Sequence, residues 1–302
     1  MIAPKLYTPD GLPMSRIAWG FRNLHNWHLT TEQLVSMLQE CIEIGVTTMD
    51  HADIYGEYTC ERLFGDALST VPSLRDKLQL VTKCGIVRIS KNSTTGSVHH
   101  YDTSKKHIIA SVEASLLNFR TDRIDLLLIH RPDPLMNTED IASAFSDLKS
   151  AGKVLHFGVS NFTTWQYNLI AGMLDFPLVT NQIEFSVLQI DALTNGTLDQ
   201  CQQRKLPVMA WGPFSRGRLF TDSGTQLVRL RNTLEDIREW IGAISIAQVA
   251  LAWIMNHPAK IVPVLGTSKI DHMWDAAKAT SIRLSREQWF KIWGASTGRT
   301  ID

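Results

Sequence analysis

Short apolar runs rich in β-branched residues recur along the chain, and between them apolar positions fall three and four apart instead of two. The runs are RIAWG (16–20), VTTMD (46–50), LQLVTK (78–83), IDLLLIH (124–130), LHFGVSN (155–161), LVTNQIE (178–184), LPVMAW (206–211) and IVPVLG (261–266). Helical period shows in Leu34, Leu38, Cys41 and Ile42, in Ile108, Val112, Leu116 and Phe119, and in Ile141, Phe145 and Leu148. Thr30 and Gln33 have the spacing of a capping box that opens the first helix, and Gly45 is placed to close it. Two more helices are expected, one from Leu227 to Trp240 and one from Ile246 to Met255.

Eight strands alternating with helices, each apolar enough to be covered on both faces, predict a (β/α)8 barrel, an α/β TIM-barrel fold of ~250 residues with extended loops. A doubly wound sheet obeys the same crossover rule, and the strand count decides against it. Three segments are surplus to the repeat: the start to Pro13, 87–102, and 215–240. Loops of that length often serve as lids or binding loops. No linker, low-complexity tract or second core interrupts the pattern, so residues 1–302 are expected to form a single domain.

Composition narrows the function. Lysine plus arginine equals aspartate plus glutamate at 30 each, which leaves no long-range field to draw in nucleic acid or an anionic membrane. The first twenty residues carry prolines and charges where a signal peptide needs an unbroken apolar stretch, and no later segment approaches membrane-spanning length. A cytoplasmic protein with neither nucleic-acid nor membrane partners is expected. Cys41, Cys60, Cys84 and Cys201 form no CxxC pair, so they are read as packing residues, not as a disulfide frame or zinc site. No HxH pair follows an early strand, GVSNF lacks the second glycine of a nucleophile elbow, and neither GxGxxG nor a P-loop occurs. No metal is expected.

In such a barrel, reactive residues come from the C-terminal ends of strands. Asp50, Lys83, His130, Asn161, Gln182 and Gly266 all end predicted strands and so share one rim. A polar exit explains any one of them; it explains the whole set poorly. Lys83 and His130 would be partly buried, where an unpaired charge is costly, and each other's company supplies partners. Lys83 beside Tyr55 would lower a phenol pKa that is ordinarily about 10, while Asp50 keeps the lysine charged. His130 would orient a carbonyl or assist the proton transfer.

These residues lie in phrases that resemble the aldo-keto reductase family. GVTTMDHADIYG (45–56), LVTKCG, and RIDLLLIHRPDP follow its pattern, with ERLFGDAL (61–68) and SVEASLLNFRTDRIDLLLIH (111–130) between and around them. The likeness runs nearly end to end, with its motifs in the right order. It implies Asp50, Tyr55, Lys83 and His130 as the catalytic set. GKVLHFGVSNF (152–162) and TNQIE (180–184) imply that Ser160, Asn161 and Gln182 hold the nicotinamide carboxamide. Trp211 would stack on the ring.

The resemblance also implies that GPFSRGRL (212–219) wraps the pyrophosphate through Gly212, Pro213, Phe214 and Arg218. Gly266, Thr267, Ser268 and Lys269 would meet the adenosine phosphate at a helix N-terminus. His272 stands where many members place an arginine on the 2′-phosphate, so NADPH is expected and NADH is possible. Arg131 departs from the tryptophan many members carry after the histidine. It is either a surface loop residue or a rim cation favouring polar or acidic carbonyl substrates. Trp27 and Ile54 either line the substrate pocket or simply pack. His51, His99, His100 and Asp53 receive no role.

Two functions are compatible with the residues. One is an NADPH-dependent reductase of a small aldehyde or ketone; the other is a cofactor-sensing regulatory subunit, similar to channel β-subunits that share the fold and the four residues. The resemblance suggests a monomer or homo-oligomer.

Overall fold

The computed structural model describes residues 3–92 and 97–299. Eight parallel strands close into a barrel: β3 (Ala18–Gly20), β4 (Thr48–Asp50), β5 (Gln79–Cys84), β8 (Ile124–Ile129), β9 (Val154–Ser160), β10 (Leu178–Glu184), β11 (Met209–Trp211) and β12 (Val262–Leu265). Each of the eight apolar runs supplies one of them, so the period and the punctuation had identified the repeat. Around them lie α1 (Thr31–Glu43), α2 (Cys60–Thr70), α3 (Lys105–Phe119), α4 (Thr138–Ser150), α5 (Thr164–Ala171), α6 (Thr197–Gln203), α9 (Ile246–Met255) and α10 (Ile270–Ala279). The expected capping box is present, with Thr30 Oγ1 accepting from Gln33 N, and the chain leaves α1 through Gly45 at φ +81°.

The surplus segments take separate positions. Near the N-terminus, β1 (Lys5–Tyr7) pairs antiparallel with β2 (Pro13–Ser15), and Ser15 N donates to Thr48 Oγ1 at the start of β4. That hairpin delivers Leu12 and Met14 into the barrel interior beside Val81, Leu126, Leu128, Met209 and Val262, closing the end opposite the rim. After β5 the chain forms the antiparallel pair β6 (Ile86–Val87) and β7 (His100–Tyr101); residues 93–96 of this loop lie outside the described residues. The third segment holds α7 (Arg218–Thr221) and α8 (Thr225–Ile241), and α8 packs against α11 (Arg286–Thr297).

Strand alternation sorts the side chains. Along β5, Val81 and Lys83 point inward while Thr82 points out to the helices, where its hydroxyl donates to Glu61 of α2 at 2.6 Å. Ser115 and Asn118 of α3 donate to the same buried carboxylate. Gly65 lets α2 and α3 touch there, because a Cβ would sit 2.0 Å from the Asn118 carbonyl oxygen. In β10 the register against β9 shifts between Leu178 and Asn181. The irregularity breaks the two-residue alternation, so Val179 joins the interior cluster and Gln182, three residues on, reaches Asp50.

All four cysteines are free and buried, as expected of packing residues. Among the described residues no group of His, Cys, Asp or Glu side chains is arranged to hold a metal, and no single helix is long and apolar enough to cross a membrane.

Candidate active site

Lys83 reaches the rim from inside β5 and is 0% exposed. Its ammonium donates to Asp50 Oδ1 at 2.8 Å, to Asp50 Oδ2 at 2.9 Å and to the His51 carbonyl at 2.6 Å, and it stands 3.3 Å from the Tyr55 hydroxyl. Asp50 also accepts from Gln182 Nε2 at 2.7 Å. A buried charge needs this many partners. Burial pulls the Lys83 pKa down, and Asp50 and Tyr55 together outweigh it, so the net shift is upward and the lysine stays cationic.

Tyr55 is carried back toward Lys83 by a tight turn beyond β4. Gly56, Glu57 and Tyr58 are all left-handed, at φ +57°, +54° and +69°. Glycine is required at the first of these: a Cβ there would lie 2.6 Å from Cys60 Sγ and 2.8 Å from His25 Nδ1. The β6–β7 loop seats on this turn, since Arg88 N donates to the Tyr58 hydroxyl at 2.9 Å and Asn92 Nδ2 to the Glu57 carbonyl at 2.9 Å.

Lys83 lowers the Tyr55 pKa, as expected, yet the net shift is upward, because desolvation of the half-buried side chain outweighs the ammonium 3.3 Å away. Tyr55 therefore holds its proton at neutral pH, and Lys83 limits the rise. The His130 ring stands edge-on to Tyr55 at 5.9 Å, and its Nδ1 is buried without a hydrogen-bond partner among the described residues. Burial, then the charges of Lys83, Arg131 and Arg22, hold its pKa well below 6.5, so the imidazole is neutral.

On the neighbouring strands the amide-bearing residues converge. Ser160 Oγ donates to the Gln182 carbonyl at 2.9 Å, and Asn161 Nδ2 donates to Ser160 Oγ at 2.7 Å. Asn161, left-handed at φ +62°, accepts from Trp211 Nε1 at 3.0 Å. Side chains that already trade hydrogen bonds beside an indole suit a carboxamide-bearing ring, which needs a donor and an acceptor. The start of α10 suits a phosphate. Like α2, α6, α7 and α8, α10 has no side-chain cap among the described residues, and unlike them it opens on a lysine, Lys269. Thr267 Oγ1 accepts from Lys269 N and lies 2.9 Å from His272 Nδ1, holding that ring at the same helix end.

Other expectations fare differently. Arg218 is exposed and pairs with Asp222 at 2.8 Å, while Arg216, unnamed in the sequence reading, places its guanidinium 5.6 Å from the centre of the Trp211 ring. Phe214 packs against Phe220 at 5.2 Å, Pro213 is buried, and Gly212 turns the chain at φ +67°. Gly266 and Ser268 lie on the exposed approach to α10. Trp27 stacks on Trp19 at 5.8 Å and meets Phe21 at 5.6 Å, so packing accounts for its ring; Ile54 is buried. His51, left without a role, has its ring among Phe21, Phe64 and Phe119. Arg22 was missed because nothing in a loop's period marks an arginine.

Comparison with known proteins places this arrangement. The model of the Aldo/keto reductase family matches residues 16–296. The uncharacterized oxidoreductase YcsN of Bacillus subtilis is 47% identical over 98% of this chain and 99% of its own. The 6-dehydroglucose reductase of Agrobacterium fabrum is 42% identical over 97% of both. A crystal structure of an aldo/keto reductase from Klebsiella pneumoniae, in complex with NADP and acetate, superposes with a TM-score of 0.78 at 24% identity, covering 96% of this chain and 94% of that one. The chain belongs to the aldo/keto reductase family. It is an NAD(P)H-dependent oxidoreductase acting on carbonyl groups.

Proposed function

We propose that this protein, as one domain, reduces an aldehyde or ketone to an alcohol with Tyr55 as the proton donor. The observation that carries the reading is the Tyr55 hydroxyl 3.3 Å from a buried ammonium that Asp50 holds in place. The bound cofactor supplies the hydride. As negative charge grows on the substrate oxygen, the Tyr55 hydroxyl hands over its proton, and Lys83 stabilises the phenolate left behind. Asp50 fixes Lys83 and keeps it charged. His130, neutral, donates to or orients the carbonyl without competing for the proton. Ser160, Asn161 and Gln182 orient the carboxamide, and Trp211 covers the ring.

Segment 212–218 would wrap the pyrophosphate, and Lys269 with His272 would meet the 2′-phosphate, favouring NADPH over NADH. A relative named for 6-dehydroglucose puts an aldehyde on a hydroxylated skeleton among the first substrates to try. The regulatory-subunit reading shares the four residues, and the oxidoreductase names of the relatives favour the enzyme.

The test is tryptophan fluorescence during parallel titrations with NADPH and NADH, followed by an aldehyde screen. Saturable quenching stronger with NADPH, and turnover of some aldehyde, is the expected result. Quenching with no turnover of any carbonyl would favour the regulatory subunit, and no response to either nucleotide would refute the cofactor site.

A further inference from the structure

Arg131 follows His130 directly, and its guanidinium carbon lies 5.7 Å from the centre of the Trp211 ring. The residue is half-buried, and among the described residues its side chain makes no hydrogen bond or ion pair. Arg22, on the loop after β3, likewise has no side-chain partner among them. Arg131 stands over the indole at the barrel mouth, one residue from His130.

Two of the nearby carboxylates are already engaged. Asp50 is held by Lys83 and Gln182. Asp133, two residues beyond Arg131, is buried and accepts from Thr103 Oγ1 at 3.0 Å and Leu135 N at 2.8 Å. Neither of these two serves Arg131. Against the indole this half-buried guanidinium leaves its hydrogen-bond donors unused among the described residues, and its planar fork matches a carboxylate better than any neutral group. Arg216 shares the same indole, and it is exposed on the segment assigned to cofactor phosphate. Arg131, at the strand exit that carries the histidine, is left to the substrate.

We propose that Arg131 is a specificity-determining residue that selects carbonyl substrates bearing a carboxylate or similar anionic group beyond the reacting carbon. This rests on the reductase reading above.

The test compares kcat/KM for 4-carboxybenzaldehyde and benzaldehyde in the wild type, Arg131→Ala and Arg131→Lys. Calorimetric titration of the NADPH-loaded proteins with the corresponding alcohols, 4-(hydroxymethyl)benzoate and benzyl alcohol, runs alongside. The wild type should prefer the carboxylate, and Arg131→Ala should reduce the preference ratio about 10- to 100-fold, mainly through KM. Lysine should restore part of it, and added salt should weaken the wild-type preference. No carboxylate preference in the wild type, or a ratio unmoved by Arg131→Ala, would overturn the proposal. The alcohol affinities read the site even when no aldehyde is reduced, so absent turnover counts against the reductase reading, and an unchanged affinity ratio counts against this one.

Discussion

The Lys83 ammonium meets both carboxylate oxygens of Asp50, at 2.8 and 2.9 Å, inside the barrel wall where neither has water to fall back on. Removing one partner leaves a buried charge, so the pair is a point of fragility as well as chemistry. Lys83→Met should destabilise the fold by roughly 3–5 kcal/mol, on the order of 10 °C in Tm. Adding Asp50→Asn should recover part of that loss and none of the turnover. Thermal denaturation of the two single variants and the double checks it; additive losses would show that the pair is not coupled.

His51 sits among three phenylalanines, parallel to Phe21 at 4.5 Å, with both ring nitrogens buried and unpartnered. Burial, then the Lys83 charge, holds its pKa well below 6.5. The unfolded ring takes up a proton below about pH 6.5 and the folded ring does not, so stability falls as the pH drops, by up to ~1.4 kcal/mol per pH unit for this residue. His51→Phe removes the contribution. The Tm difference between variant and wild type should widen in favour of the variant between pH 7 and pH 5. A difference independent of pH would show that the folded ring titrates normally.

In the proposed cofactor site, Lys269 and His272 at the start of α10 would discriminate the 2′-phosphate. Lys269→Ala should weaken NADPH binding about 3- to 30-fold and leave NADH nearly unchanged, consistent with loss of one partly exposed charged contact. His272→Arg should strengthen NADPH selectively. Dissociation constants for both nucleotides decide it, and equal losses for both would place the 2′-phosphate elsewhere.

Much of the barrel was readable because its strands alternate with strongly periodic helices, and because the residues at strand ends must share one rim. Lys83 and His130 were conspicuous as a cation and an imidazole directly after apolar runs. What escaped were quantities that depend on the assembled fold. The direction of the Tyr55 shift turns on how deeply the phenol is buried, which neighbouring residue types do not reveal. The irregularity between Leu178 and Asn181 that aims Gln182 at Asp50 has no proline or glycine to mark it. Arg22 and Arg216 lie on irregular loops, where no period indicates which way a side chain points.

Single-turnover reduction of an aldehyde by Tyr55→Phe preloaded with NADPH addresses the proton donor directly. The ring keeps its packing and loses only the hydroxyl, so cofactor affinity measured by fluorescence should match the wild type. The rate of NADPH consumption should fall about 100- to 10,000-fold. A wild-type rate with bound NADPH would mean that the proton comes from another group, with His130 the next to examine.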